Sequence, residues 1–440
     1  MNIWSIEGDI LMRRQGLFTK KIDRPKYVIC VAFAASGEIL TGDSEGNIMV
    51  WRSVKVTRVL KGAHTGPVSD ICVLEDGSFI SGGVSDGTLC IFNSTYELIG
   101  VGATLPDQFG GVRRILKKSF KKIEETRTIH LIIGTTTNSI VEGMLRVVEG
   151  NTEVQDWEVD RVVLGHYQEV WGLAAHPTRD MFMTAGYDGN VILWDAVAHV
   201  DRWVVQISGQ ARCVDISPNG EVYAVGTLGG VLHVGLMETK EHMIMKHDEG
   251  LNTLKFSPSG EYLAVGSHDM KIHVYKLGEK GIEDISKISE CVGHSSYIRF
   301  LDWSANSLYI RSVSGDYELL FWNPTTGDQV LDLEIMANID WISQSCSISF
   351  ETLGIWYDRS ADGTDINCCA KSNQPDLPAI LAVGDDMGKV KLYKYPAVQY
   401  KTGYIDLIGH SAHVTNVVFP LNRGLVSTGG RENSIIQWDL

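Results

Sequence analysis

Eight cysteines are spread over 440 residues without a single CxxC pair, so the sequence supports neither a zinc site nor a thioredoxin-like redox motif. Their placing, with Cys30, Cys72 and Cys213 inside apolar runs, suggests small core residues kept reduced. Cys368-Cys369 reads as a chance pair in a loop. Long apolar runs are also missing. The best, at 129–133, is strand-length and far from the ~18 residues a membrane helix needs. The opening MNIWSIEGDILMRRQ lacks the basic-then-apolar layout of a signal peptide, so a soluble, cytoplasmic chain with no membrane partner is expected. Catalytic motifs are absent as well: no HExxH, no GxSxG and no dinucleotide fingerprint ahead of a helix. GDDMGK (384–389) has three residues between its glycines, one short of a P-loop. No enzyme, cofactor or metal is expected.

Positive charge is scarce, and unevenly so. Against 54 Asp+Glu stand 39 Lys+Arg, a net −15. Residues 1–155 hold 18 basic and 17 acidic side chains, a balance of +1, which leaves 21 and 37, or −16, for 156–440. Nucleic acid needs a basic footprint, and a chain this acidic does not offer one.

What the sequence does have is a repeat. From His166 to Trp194 is an interval of 28 positions, and it recurs as His64 to Phe92, His247 to Tyr275, His294 to Trp322 and His410 to Trp438. Six positions before each closing aromatic stands an acid: Asp86, Asp188, Asp269, Asp316 or Glu432. Another unit ends at Trp51, degenerate ones end at Glu142, Val234 and Tyr393, and a remnant ends near Trp4. Ends spaced mostly 40 to 50 residues apart match the period of a four-stranded propeller blade. Each unit holds short β-rich runs separated by turn signals such as Asp188-Gly189, which supply the positive φ angles of tight hairpins. The fold class is therefore all-β.

The histidine and acid invite a catalytic reading, but their repetition argues for scaffolding. His166, Thr184, Asp188 and Trp194 are expected to form one hydrogen-bonded chain inside a blade, and His294, Ser312, Asp316 and Trp322 to repeat it. Buried polar groups are costly unless paired, so such residues should occur together or be lost together. Chemistry needs one constellation; scaffolding needs one per blade.

Ten units exceed the 4–8 blades of one ring, so two propellers in tandem are expected. The polar stretch 142–160, without a clear strand pattern, places the divide. Residues 1–155 would form part of an N-terminal propeller, with about three blades and a remnant. Residues 156–440 would form a C-terminal one of six or seven. Partners should bind at loops, because the strands are spent on packing. Two stretches stand out. VRRILKKSFKKIEETR (112–127) reads as a basic loop, and Arg113, Arg114, Lys117, Lys118, Lys121 and Lys122 are its candidate partner-binding residues. The long insert 335–378 carries Trp341, Trp356, Tyr357, Asp358 and Arg359. There Trp341 is expected in the core, Trp356 and Tyr357 are candidate partner-binding residues, and 339–343 and 350–357 alternate like strands.

Several motifs are more specific than a generic blade. GHYQEVWGLAAHP, LAVGSHDMKIHVY (263–275), SGDYELLFW (314–322), DGTDIN (362–367) and STGGRENSIIQWDL (427–440), with RRQGLF (13–18) and PDQFGGVR (106–113) upstream, resemble the echinoderm microtubule-associated protein-like family over essentially the whole chain. The resemblance implies tandem WD40 propellers, the N-terminal one incomplete here. It also implies a non-catalytic, cytoskeletal protein that binds tubulin or microtubules and other proteins through its propeller faces. A general WD40 scaffold or substrate-recruiting adaptor without tubulin affinity is the alternative.

Overall fold

The computed structural model describes residues 2–7, 10–18, 24–278, 281–357, 366–374, 378–422 and 424–440. It consists of two compact units, Met1–Tyr167 and Gln168–Leu440. Strands within every sheet are antiparallel and follow chain order, so each sheet is a meander built from local hairpins.

The first unit holds a two-stranded hairpin, Asn2–Glu7 with Ile10–Gln15, and three four-stranded sheets that begin at Val28–Phe33, Val68–Val73 and Val112–Ile123. The divide expected before residue 156 falls inside this unit. Asp156–Val163 pairs with Ile140–Val148 as the last strand of the third sheet. The polar stretch is thus mostly strand. Ile140–Val148 alternates buried and accessible positions, with Val141, Leu145 and Val147 turned into the core. Charged residues on the other face hide that alternation from a composition-based reading.

Among the described residues the second unit holds six propeller sheets. Their first strands are Val170–Ala175, Ala211–Ile216, Leu251–Phe256, Ile298–Trp303, Ile366–Lys371 and Val414–Val418. The fourth and sixth sheets have three strands, the others four. The last sheet meets the first directly: Thr415 Oγ1 donates to the Val170 carbonyl at 2.5 Å and Asn416 Nδ2 to the Trp171 carbonyl at 3.2 Å. Farther out, Gln437 Nε2 donates to the Ala196 carbonyl at 3.0 Å. Ring closure therefore rests on side-chain bonds between two neighbouring sheets.

Between the fourth and fifth sheets the chain departs from the blade pattern. The expected strands at 339–343 and 350–357 do not form. Instead there is a short helix, Leu333–Ala337, and a 3-10 turn, Leu353–Tyr357, with Trp341 held to Ser304 by an isolated bridge. The physical reason is a buried ion pair. Asp302 and Arg311, on adjacent strands of the fourth sheet, are essentially inaccessible and 3.1 Å apart. Asp302 draws the backbone amides of Ser345 and Cys346 to 2.8 and 3.0 Å and the Ser343 hydroxyl to 2.6 Å. Arg311 donates to Gln344 Oε1 at 2.8 Å and Glu351 Oε2 at 3.0 Å, and its guanidinium lies over the Trp341 ring. Amide groups that a ladder would have used are taken by the carboxylate, so the segment wraps the pair rather than pleating. Burial alone would discourage Asp302 from ionising, but Arg311 and these donors override it and hold the carboxyl well below the usual range.

All eight cysteines are free thiols. Cys368 and Cys369 are not in a loop: both are buried in the strand Ile366–Lys371, where β-structure sends them to opposite faces. No helix among the described residues is long and apolar enough to cross a membrane.

Candidate partner-binding surfaces

Of the repeated residues His64, His166, His294, His410 and Asp188 are buried, whereas Asp86, Asp269 and Glu432 are partly accessible and Asp316 is exposed. The complete chain is seen in the last sheet. There Trp438 Nε1 donates to Ser427 Oγ at 2.8 Å, Ser427 bonds His410 Nε2 at 2.7 Å, and His410 Nδ1 meets Glu432. Because the indole can only donate, the serine accepts from it and gives its own proton to Nε2, which leaves Nδ1–H for the carboxylate. The fourth sheet keeps only part of this. Trp322 Nε1 donates to Ser312 Oγ at 2.8 Å and Ser312 bonds His294 Nε2 at 2.6 Å. The expected acid does not join. Asp316 instead accepts from the Ser295 and Ser314 hydroxyls, and His294 Nδ1 has no hydrogen-bond partner among the described residues. Burial then pushes the His294 pKa down to about 4, against the opposing pull of Asp316. In the sheet that opens the second unit, Trp194 Nε1 donates to Thr184 Oγ1 at 2.8 Å, and Asp188 accepts from the backbone and side-chain nitrogens of Asn190. His166 is buried, with its carbonyl accepting from Asn138 Nδ2 at 2.8 Å.

The indole-to-hydroxyl bond is the recurring element, and it makes a prediction. Ser312→Ala should destabilise the second unit by about 1–3 kcal/mol, because it strands the buried Trp322 N–H and His294 Nε2 together. Ser312→Thr, which keeps the hydroxyl as Thr184 does, should lose far less. Urea midpoints of the two variants check this; equal losses would show that volume, not the hydroxyl, matters.

The basic stretch 112–127 is not a loop. It is the strand Val112–Ile123, a turn at Glu124-Glu125 and the start of the strand Thr126–Thr135. Most of its charge is matched locally. Arg114 pairs with Asp70 at 3.1 Å, Lys117 with Glu75, Lys118 with Glu142, Lys122 with Glu149 at 3.8 Å, and the buried Arg127 with Asp76 at 2.9 Å. Arg113 and Lys121 are exposed and have no acidic partner among the described residues. Surface pairs of this kind contribute little, about 0–1 kcal/mol, so Lys118 and Lys122 remain able to exchange one carboxylate for another. Arg127 does not.

Trp356 is half-buried, donates Nε1–H to the Ser347 carbonyl at 2.8 Å and lies edge-on to Tyr317. Its indole is largely committed to the segment that wraps Arg311. Trp341, expected in the core, is buried there. The Tyr357 side chain, Asp358, Arg359 and positions 362–365 of DGTDIN lie outside the described residues.

Sequence reasoning missed the axial channel of the second unit, a cavity of about 430 Å³ lined by the six first strands and the wrapping segment. At one mouth Arg212 stacks on Trp171, 3.4 Å from the ring centre to the guanidinium carbon, and bonds the Tyr187 hydroxyl at 2.9 Å and Asn252 Oδ1 at 3.0 Å. Arg299 stands on the fourth sheet at the same level, donating to the Ile366 carbonyl at 3.3 Å. Deeper in, Lys255 pairs with Asp215 at 3.3 Å, and Lys371 donates to the Trp341 carbonyl. The available signal was a polar or aromatic residue at the second position of each inner strand: Trp171, Arg212, Asn252, Arg299, Asn367 and Thr415. Only ring closure brings them together. Among the described residues no group of three or more His, Cys, Asp or Glu side chains could hold a metal ion.

Comparison with known proteins matches residues 1–143 to the model described as the echinoderm microtubule-associated protein first beta-propeller, and residues 170–440 to that of the second beta-propeller. The chain is 38% identical to echinoderm microtubule-associated protein-like 1 of Homo sapiens over 99% of its own length and 51% of that protein's. It is 39% identical to echinoderm microtubule-associated protein-like 2 of Mus musculus over 99% of its length and 64% of the relative's. To the 77 kDa echinoderm microtubule-associated protein of Lytechinus variegatus it is 36% identical, over 100% and 63%. The chain thus spans between half and two thirds of these relatives.

Proposed function

The chain belongs to the echinoderm microtubule-associated protein-like family, and from that premise we propose that it is a non-catalytic, microtubule-associated WD-repeat protein. In this reading it binds tubulin and other proteins through its propeller surfaces and resides on the cytoplasmic cytoskeleton. The observation that carries the reading is identity of 36–39% over 99–100% of the chain to proteins named for microtubule association. The serine and histidine pairs support a non-catalytic role, because they recur from sheet to sheet and lie buried in the blades.

The strand Val112–Ile123 is the proposed contact. It is the edge of its sheet and, among the described residues, pairs only with Thr126–Thr135. Its outer half presents Lys118, Lys121 and Lys122 to solvent, and Arg113 stands exposed near its start. An acidic protein surface is the complementary partner, with an attraction that weakens as salt rises. Co-sedimentation with polymerised tubulin, run beside gel filtration with tubulin dimer, tests the reading. Binding is expected in at least one assay, weaker at higher salt. Lys117→Glu, Lys118→Glu, Lys121→Glu and Lys122→Glu combined should weaken it by about tenfold or more, roughly 1.4 kcal/mol. Unchanged affinity in that variant would remove the strand as the contact. Binding in neither assay would favour the adaptor reading for this chain.

A further inference from the structure

We propose that the axial channel of the second unit is a binding site for an acidic peptide that enters by its free carboxyl end. The site lies wholly within that unit and does not rest on the microtubule reading. Residues 156–440 carry a net charge of −16, taken as 21 basic minus 37 acidic groups. Yet among the described residues lining the channel there are four cations, Arg212, Lys255, Arg299 and Lys371, and one carboxylate, Asp215. The excess of three positive charges points inward from an otherwise acidic body.

That charge is held by construction. Asp215 is spent on Lys255 and on the Phe256 amide at 2.8 Å. Arg212 is fixed through Nε and Nη1 by Asn252 and Tyr187 and by stacking on Trp171, and its Nη2 is committed to no residue among those described. Burial lowers its pKa, and no carboxylate is among the groups that offset this. Arg299 spends one bond on a carbonyl, and Lys371 likewise meets a carbonyl; neither has an acidic partner within ion-pair distance among the described residues. Arg212 and Lys371 are partly desolvated, Lys371 with Asp340, Asp302 and Glu351 as more distant compensating charges, and an incoming carboxylate would add the close counter-ion that Arg212, Arg299 and Lys371 lack.

The layout selects an extended ligand. Arg212 and Arg299 each occupy the second position of their strands, Lys255 the fifth and Lys371 the sixth. At ~3.3 Å per residue the two tiers stand roughly 10–13 Å apart along the axis. A single phosphate would need its donors converging on one point. A peptide with carboxylates at successive levels meets both tiers, and guanidinium forks suit carboxylate geometry. The Trp171 and Tyr297 rings at the mouth provide apolar surface for the peptide's own side chains.

The test is fluorescence anisotropy with a labelled glutamate-rich peptide bearing a free C-terminal carboxylate, titrated with the full chain. Saturable binding that weakens with salt is expected. Arg299→Gln and Lys371→Met, separately, should each weaken it about tenfold, while Lys61→Gln, at an exposed position in the first unit, should leave it unchanged. Thermal melts verify that each variant is folded, and Lys371→Met carries the test if Arg299→Gln is not. Absence of binding by the unaltered chain, or undiminished binding in the folded variants, overturns the proposal. So does displacement of the peptide by inorganic tripolyphosphate at a lower concentration than by unlabelled peptide, which would mark a phosphate site instead.

Discussion

Arg311→Leu should destabilise the second unit by about 3–5 kcal/mol, the cost of leaving a buried charge without its partner. Asp302 is wholly inaccessible, and its pair with Arg311 at 3.1 Å is walled in by the segment 341–351. Removing the guanidinium leaves a carboxylate with hydrogen bonds from Ser343, Ser345 and Cys346 but with only the more distant Lys371 as an opposing charge. The variant also releases Gln344 and Glu351, so the segment should loosen before the sheets do. Two measurements check this. The urea midpoint should fall, and limited proteolysis should gain a cut within 330–357. Glu351→Gln, which alters only the outer and partly exposed partner, should cost far less. A loss under about 1 kcal/mol for Arg311→Leu with an unchanged cleavage pattern would mean that the segment is held by its apolar contacts and not by the pair.

Acidification should weaken the second unit well before its carboxylates titrate. His294 is buried with its Nδ1 unbonded, and burial lowers its pKa to about 4; burial, followed by the charges of His273 and Lys287, does the same to His247. In the unfolded chain both take up protons near 6.5. Between those values the unfolded state binds more protons than the folded one, so stability is fully present above about pH 6.5 and is lost as pH falls toward 4. For His294 alone the interval corresponds to about 3 kcal/mol. Glu432, for which serine hydroxyls, a serine amide and His410 override burial, sits at about 2 and Glu290, bonded by Lys287, likewise. Their share is lost only at lower pH, as the unfolded carboxylates near 4.3 begin to protonate. Urea midpoints followed from pH 7 to 4 should therefore slope downward, and His294→Asn should flatten part of that slope. An unchanged slope in His294→Asn would assign it to other groups.

Much of the architecture was legible beforehand because blades are local. A hairpin sheet needs only turns and short apolar alternations at fixed offsets, and the 28-residue interval from His410 to Trp438 reports one such unit completely, down to the bonds through Ser427. The interval also marked His294 to Trp322, but it could not show that Asp316 turns away toward Ser295, because a shared spacing does not set a side-chain rotamer. The segment after Trp322 was misjudged for a similar reason. FETLGIWY alternates as a strand would, yet its neighbours are drawn to an ion pair some 40 positions away, and tertiary hydrogen bonds outweigh local pattern. The basic stretch reads as a loop in the sequence but folds as a strand and the start of the next, because its carboxylate partners, Asp70, Glu75, Asp76, Glu142 and Glu149, come from neighbouring strands and sheets.

By itself, then, the sequence determined the all-β class, the tandem of propellers, the blade period and the family, all of which depend on repeated short-range geometry. Only the tertiary structure decided three things: that six sheets and a wrapped segment close the second ring, which basic residues keep an unmatched charge, and that Arg212, Arg299 and Lys371 face one channel in an acidic body. These depend on pairs far apart along the chain. Burial, charge balance and closure are properties of the assembled ring, and no stretch of the sequence contains them.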